Sequence, residues 1–342
     1  MNVAVEDGTL RLTWDELESR ANAVGHGLEA LGAEAGSHVA LCIGNRTEFV
    51  EAVLGAWRVG CAYTPLKTGW TADEIGFVLD DAQTKVVVTD RPAAGAAATA
   101  RGIAVVEVGA GYENWLAAQD DQPLPVDRCG YKLPYTSGTT GRPKGIVMAG
   151  SGTTPYAAGW AALGRWAEAL SLPGDGVHLF VSRLFNGAPQ TFGFAAMARG
   201  ATLRILPRWD PAAALAALAA PDVTSTIMVP TMFRQLLALP GVDRAVAPAP
   251  GLRTLLHGGE PCPAALKEAI AEWFGEILVE YYGFTEGGLT IVGPQEWRQH
   301  PGTVGRPLPG MRVEVRDDDG TVLTAGSEGT VYIVSEAGRR FR

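Results

Sequence analysis

Near the start of the chain, apolar positions recur at helical spacing behind a capping signature. Thr13 with Glu16 three residues on makes a capping box, and Leu17, Ala21, Val24, Leu28 and Leu31 then share one face until Gly32. Beyond it the period shortens and lengthens in turn. "HVALCI" reads as a strand, residues 48–59 as a helix, "CAYTPL" as a strand, the stretch opened by Thr71 and Glu74 as a second capped helix, and "KVVVTD" as a strand. Such alternation predicts a parallel sheet covered by helices.

Residues 91–102 are alanine-rich, and 117–132 are polar around "DDQPLP", which reads as a link between subdomains. A second α/β series follows: "TSTIMV" into the helix "PTMFRQLLAL", "RTLLH" into Gly258 and Gly259, the helix "PAALKEAIAEWFG", and the strand "EILVEYY". From Gly302 onward short strands dominate, with "RVEV", a "DDDG" turn, "TVLT" and "GTVYIV" reading as hairpins. The expected class is α/β. Residues 1–122 and 123–301 form two helix-covered, mostly parallel sheet subdomains, and 302–342 a small hairpin or barrel-like one.

Composition narrows the function. With 342 residues, 47% hydrophobic and 19% charged, the chain can bury a large core. A net charge of -9 leaves no broad basic surface for nucleic acid or anionic lipid, so no nucleic-acid partner is expected. Cys42, Cys61, Cys129 and Cys262 are far apart and form no CxxC, which favours buried free thiols over a zinc site or a disulfide framework. No apolar run approaches the roughly 18 residues of a membrane span, and "MNVAVEDG" has no signal-peptide character; a cytoplasmic location is expected.

Against this background "YTSGTTGRPKG" (135–145) stands apart, with four hydroxyl residues, three glycines, one lysine and no large aliphatic side chain. Small residues expose backbone N–H groups, and Thr136, Ser137, Thr139 and Thr140 can donate hydroxyls to oxyanions. Lys144 adds a mobile positive charge, so the segment describes a polyphosphate cradle. It is not a Walker A loop: Pro143 and Gly145 stand where that motif needs Gly and Ser or Thr around its lysine.

The order of these residues resembles the phosphate loop of the adenylate-forming superfamily, which includes acyl-CoA synthetases, adenylation domains of nonribosomal peptide synthetases and luciferases. The resemblance runs from "LTWDELESRANAVGHGL" to "GTVGRPLPG" and "GSEGTVYI"; "LHGGEPCPAALKEAIAEWFG" and "EYYGFTEGG" look most like acyl- or aryl-CoA synthetases. It implies an ATP-dependent, AMP-forming ligase. A carboxylate attacks the α-phosphorus of ATP to give an acyl-adenylate and pyrophosphate, and coenzyme A then captures the acyl group.

The same resemblance assigns the residues. Thr136, Ser137, Gly138, Thr139, Thr140, Gly141 and Lys144 would hold the β- and γ-phosphates, and the turn Gly258, Gly259, Glu260 and Pro261 the adenine. In "EYYGFTEGG", Tyr281, Tyr282 and Gly283 would border the base, Thr285 would bond the α-phosphate, and Glu286 would hold Mg²⁺. One carboxylate with phosphate oxygens suits magnesium, and ligands in open α/β sheets bind beyond strand C-termini. Thr285, Glu286 and Lys144 are the expected catalytic set. Taken alone, the tyrosines also read as strand-end packing, and Gly258-Gly259 as a tight connection.

Asn186, Gly187, Pro189, Phe192, Val229, Thr231, Met232, His257 and Gly283 fall where the acyl pocket would be, although core packing accounts equally well for several of them. Acyl-CoA synthetases usually carry His at the place of Asn186, and Asn has neither a titratable group nor an aromatic face. With Lys67, this departure leaves open a related diazotase chemistry on nitrite and an aryl amine. Family members normally continue past the hairpins into a C-terminal domain that carries a catalytic Lys, whereas this sequence stops at "SEAGRRFR". It reads as the core of a longer ligase, of low activity without that domain, or as a non-catalytic nucleotide-binding protein.

Overall fold

The computed structural model describes residues 2–341 except 126–128, 138–141, 148–150, 286 and 336–339. In chain order, β1 (Val3–Glu6), β2 (Arg11–Thr13) and α1 (Trp14–Ala30) precede β3 (His38–Cys42), α2 (Thr47–Val59), β4 (Ala62–Pro65) and α3 (Ala72–Asp81). Next are β5 (Thr84–Thr89), α4 (Pro92–Thr99), β6 (Ala104–Glu107), α5 (Tyr112–Ala117), β7 (Tyr131–Lys132), β8 (Tyr135–Ser137), β9 (Pro143–Gly145) and α6 (Tyr156–Ala169). They are followed by β10 (Val177–Phe180), α7 (Gly187–Ala198), β11 (Thr202–Ile205), α8 (Pro211–Leu218), β12 (Val223–Met228), α9 (Pro230–Leu237), β13 (Thr254–Gly258) and α10 (Ala264–Phe274). The last are β14 (Leu278–Phe284), β15 (Gly287–Val292), α11 (Pro294–Gln299), β16 (Arg306–Pro307), β17 (Met311–Arg316), β18 (Thr330–Ser335) and β19 (Arg340–Phe341).

Two compact units result, one of residues 1–166 with 180–209, the other of 167–179 with 210–342. In the first unit β6-β5-β3-β4-β7 form a parallel sheet, β1 pairs with β11 in parallel and with β2 in antiparallel, and β8 pairs with β9. Both expected capping boxes form: Glu16 Oε2 accepts from the Thr13 amide at 2.7 Å, and Glu74 Oε2 from the Thr71 amide at 2.8 Å. Helices α1 and α2 pack closely because Gly55 has no side chain; a Cβ there would lie 2.4 Å from Val24 Cγ1.

In the second unit β10, β12, β13 and β14 are parallel neighbours, and β15 and β16 extend the sheet in antiparallel. Every residue of β12 and β13 is buried, as strands covered on both faces require. The hairpin region differs from its sequence reading. The turn at Asp317 closes, with Thr321 N donating to Asp317 Oδ1 at 2.7 Å, but "TVLT" contributes only a single bridge from Val322 to Arg316. Strand β17 pairs instead with β18 along its whole length. Burial decides the choice, since Ile333 of β18 is fully covered whereas Val322 is 51% exposed.

The alanine-rich stretch forms α4. Three of the four thiols are buried as expected; Cys262, just beyond the Gly258–Pro261 turn, is only half-buried because that turn lies at the surface. Among the described residues no helix is long and apolar enough to cross a membrane.

Candidate functional site

The hydroxyl-rich segment of the first unit is carried on the shoulders of a hairpin. Thr136 is the register partner of Lys144, Ser137 of Pro143 and Tyr135 of Gly145. Directly opposed residues of an antiparallel pair project to the same side, so the Thr136 hydroxyl and the exposed Lys144 ammonium share one face. Tyr135 anchors the base: its ring is 9% exposed and its hydroxyl donates to Asp81 Oδ2 at 2.6 Å. Gly145 packs tightly against it, since an added Cβ would come 3.0 Å from that ring. Gly138, Thr139, Thr140 and Gly141, the centre of the expected cradle, lie outside the described residues.

In the second unit the ends of β12, β13 and β14 bring together Val229, Thr231, His257, Gly258, Gly259, Glu260 and Tyr281. Glu260 Oε1 accepts the Thr231 amide, tying the β13 turn to the start of α9. Gly258 packs so closely on β14 that a Cβ would lie 2.3 Å from the Tyr281 carbonyl oxygen, and Gly259 turns the chain at φ +79. Both glycines thus have packing reasons of their own. Pro261 is exposed beyond them, and Met232 is half-buried in the first turn of α9.

Strand alternation separates the two tyrosines. Tyr281 is buried, and desolvation pushes its phenol up to about 12. Tyr282 faces outward, 36% exposed, with its ring edge-on to Phe284 at 5.3 Å. Gly283 and Thr285 are exposed where the chain reverses from β14 into β15, and Gly288 on the return strand abuts Ile333 of β18, 2.9 Å from where its Cβ would be. Glu286, the expected Mg²⁺ ligand, lies outside the described residues; among those described, no group of three or more His, Cys, Asp or Glu side chains is gathered for a metal.

His257 is fully buried, edge-on to Phe233, and among the described residues neither ring nitrogen has a hydrogen-bond partner. Desolvation, aided by the Lys267 charge, lowers its pKa to about 3, so the ring is neutral at physiological pH. Sequence reading passed over Lys267 itself. It is 2% exposed, donates to Glu280 Oε2 at 2.7 Å and lies 4.4 Å from the centre of the Trp297 ring. Helical spacing marks Lys267 as a position on α10, but only the fold sets it against β14.

The remaining expected residues lie in the first unit. Asn186 occupies the N-cap of α7 yet makes no side-chain capping bond, and Gly187 opens the helix. Pro189 and Phe192 are buried, Phe192 at 2% exposure. Lys67 is exposed, its ammonium 5.5 Å from the centre of the Trp70 ring. Two further polar groups, Gln190 on α7 and Lys132 beneath it, are not among the residues expected from sequence: Gln190 Oε1 accepts from the Tyr63 hydroxyl, and Lys132 donates to the Gly187 carbonyl and to Thr191 Oγ1. A lone lysine inside the apolar strand run before the hydroxyl loop was the available signal.

Residues 2–337 match the AMP-binding enzyme family. The chain is 32% identical over 346 residues to a probable non-canonical nonribosomal peptide synthetase, CymA, of Salinispora arenicola, covering 98% of this chain and 4% of that protein. It is 32% identical over 349 residues to the long-chain-fatty-acid–CoA ligase FadD13 of Mycobacterium tuberculosis, covering 97% of this chain and 67% of that one. The crystal structure of ATP-bound MatB from Rhodopseudomonas palustris superposes with a TM-score of 0.85 at 25% identity, over 98% of this chain and 68% of MatB. A match over nearly all of the sequence, and a fold shared with an ATP-bound ligand complex, make this chain a member of the AMP-binding enzyme family.

Proposed function

We infer that this chain is the nucleotide-binding core of an enzyme that activates a carboxylic acid with ATP, forming an acyl-adenylate and pyrophosphate, with coenzyme A as the acyl acceptor. The observation that carries the reading is the β8–β9 hairpin, which sets the Thr136 hydroxyl beside the exposed Lys144 ammonium, a cation without an ion pair among the described residues. A carboxylate oxygen bonds to the α-phosphorus as the α–β bridging bond breaks and pyrophosphate departs. Lys144 and Thr136 stabilise charge on the leaving group, Thr285 steadies the α-phosphate, and Tyr282 with the Gly258–Pro261 turn receives the base. FadD13, named as a CoA ligase, and MatB, solved with ATP, support this assignment of acceptor and nucleotide.

Calorimetric titration with MgATP tests it. Micromolar binding is expected in the parent chain, and Lys144→Ala is expected to weaken it at least about tenfold, the loss of one charge-assisted contact to phosphate. Unchanged affinity removes Lys144 from the nucleotide site. Pyrophosphate release that needs a carboxylate, with coenzyme A consumed in proportion, separates this reading from the diazotase alternative, which would need nitrite and an aryl amine. Binding of MgATP with no turnover of either kind leaves a nucleotide-binding protein.

A further inference from the structure

Under α7 of the first unit, the side-chain donors outnumber their acceptors. Tyr63 and Lys132 are register partners in the parallel pair β4–β7, so their side chains leave the sheet on the same face. They reach consecutive residues of α7: the Tyr63 hydroxyl donates to Gln190 Oε1 at 3.0 Å, and Lys132 Nζ to Thr191 Oγ1 at 2.8 Å. The Gly187 carbonyl takes a second Lys132 N–H at 2.9 Å. Among the described residues one ammonium proton has no acceptor, nor has the amide nitrogen of Gln190, a residue only 1% exposed.

The charge is also in an unfavourable place. Lys132 meets α7 at its first residue, the positive end of the helix dipole, where anions are stabilised and cations are not. No carboxylate among the described residues compensates it; its only neighbours within bonding distance are a carbonyl and a hydroxyl. Desolvation brings its pKa down to about 8, so the ammonium form persists at neutral pH. A partly buried cation without a counter-ion, beside a buried amide without an acceptor, is a site short of one anion. Asn186, whose side chain leaves the N-cap unused, stands at the same helix end.

We propose that Lys132 anchors a second anionic group on the acid this chain activates, which makes a dicarboxylic acid, rather than a fatty or simple aryl monoacid, the substrate class. The proposal rests on the carboxylate-activating function inferred above. It differs from the phosphate-binding assignments in using none of their residues. Thr191 acts as a positioning residue, holding the ammonium toward the start of α7.

The test compares dicarboxylates of four to six carbons with monocarboxylates of equal length, and with the monomethyl esters of the same diacids. Parent, Lys132→Met and Thr191→Val chains are assayed by pyrophosphate release with MgATP and by the melting shift each acid produces. The parent is expected to favour diacids by about tenfold or more in kcat/KM, with the half-esters behaving as monoacids. In Lys132→Met the diacid-to-monoacid ratio is expected to fall to within about twofold of unity, and in Thr191→Val to an intermediate value. A parent that prefers monoacids, or a diacid preference that survives Lys132→Met, overturns the proposal. Should no acid support pyrophosphate release, the inferred function fails, and the melting shift alone decides the anchor. A diacid shift lost on substituting Lys132, or halved in Thr191→Val if the first variant does not fold, sustains it; no diacid shift dependent on either residue overturns it.

Discussion

Replacing Lys267 by Met removes one partner of a buried ion pair while keeping most of its stem. The ammonium is 2.7 Å from Glu280 Oε2 and 4.4 Å from the Trp297 ring centre, with side-chain exposures of 3% for Lys267 and 13% for Glu280. In the variant the Glu280 carboxylate keeps its buried position without a cation, which costs about 3–5 kcal/mol, and loss of the ring contact adds about 0.5–2 kcal/mol. Adding Glu280→Gln removes the orphaned charge, so the double variant is expected to be less destabilised than the two singles together by about 1.5 kcal/mol or more. Urea unfolding of all four chains at pH 7, with m-values checked for constancy, gives the coupling. Single-variant costs that add to within about 0.5 kcal/mol would refute the reasoning and reduce the contact to one between independent surface charges. Because Glu280 precedes Tyr282 by two positions on β14, MgATP affinity is expected to weaken in the same order as stability.

Gly258→Ala drives a Cβ to 2.3 Å from the Tyr281 carbonyl oxygen, a backbone atom that cannot move aside, and is expected to cost about 3 kcal/mol in the same unfolding assay; a cost below about 1 kcal/mol contradicts the packing. His257 and His178 are held neutral, with pKa values lowered to about 3 and about 4, so between those values and about 6.5 the unfolded chain binds more protons than the native one. Stability is therefore fully present above pH ~6.5 and falls on acidification by up to ~1.4 kcal/mol per pH unit for each ring, and His257→Phe is expected to flatten that slope. A thiol reagent applied to the native chain is expected to titrate Cys262 alone, slowly, because burial lifts its pKa to about 11; rapid reaction of Cys42, Cys61 or Cys129 contradicts their enclosure.

Features that depend on neighbours in sequence were legible before the fold was known. Thr13 with Glu16 and Thr71 with Glu74 close their capping boxes because all the atoms involved lie within one turn. Features decided by distant burial were not. "TVLT" and "TVYIV" have nearly the same β-forming composition, and only the covering of Ile333 selects the second as the partner of β17. At the candidate site, the hydroxyl loop announced itself by composition, but the strand pairing that sets Thr136 against Lys144 did not. The contacts of Lys132 are not legible because its acceptors lie 55 and 59 residues further along, and those of Lys267 because its partner is on another element. In sequence the Gly258-Gly259 pair fits a ligand turn or a tight connection, and the close approach to Tyr281 gives the first of these glycines a steric role whichever ligand it meets.

The reversal from β14 into β15 carries a mechanical implication. Thr285 rides on a two-stranded arm whose return strand, at Gly288, rests directly on Ile333 of the terminal sheet formed by β17, β18 and β19, with no side chain between them to act as a cushion. A displacement at the tip of that arm would therefore meet that sheet at this contact. Seating a molecule against Tyr282 and Thr285 would tilt the terminal sheet, and clamping that sheet would stiffen the grip at the tip.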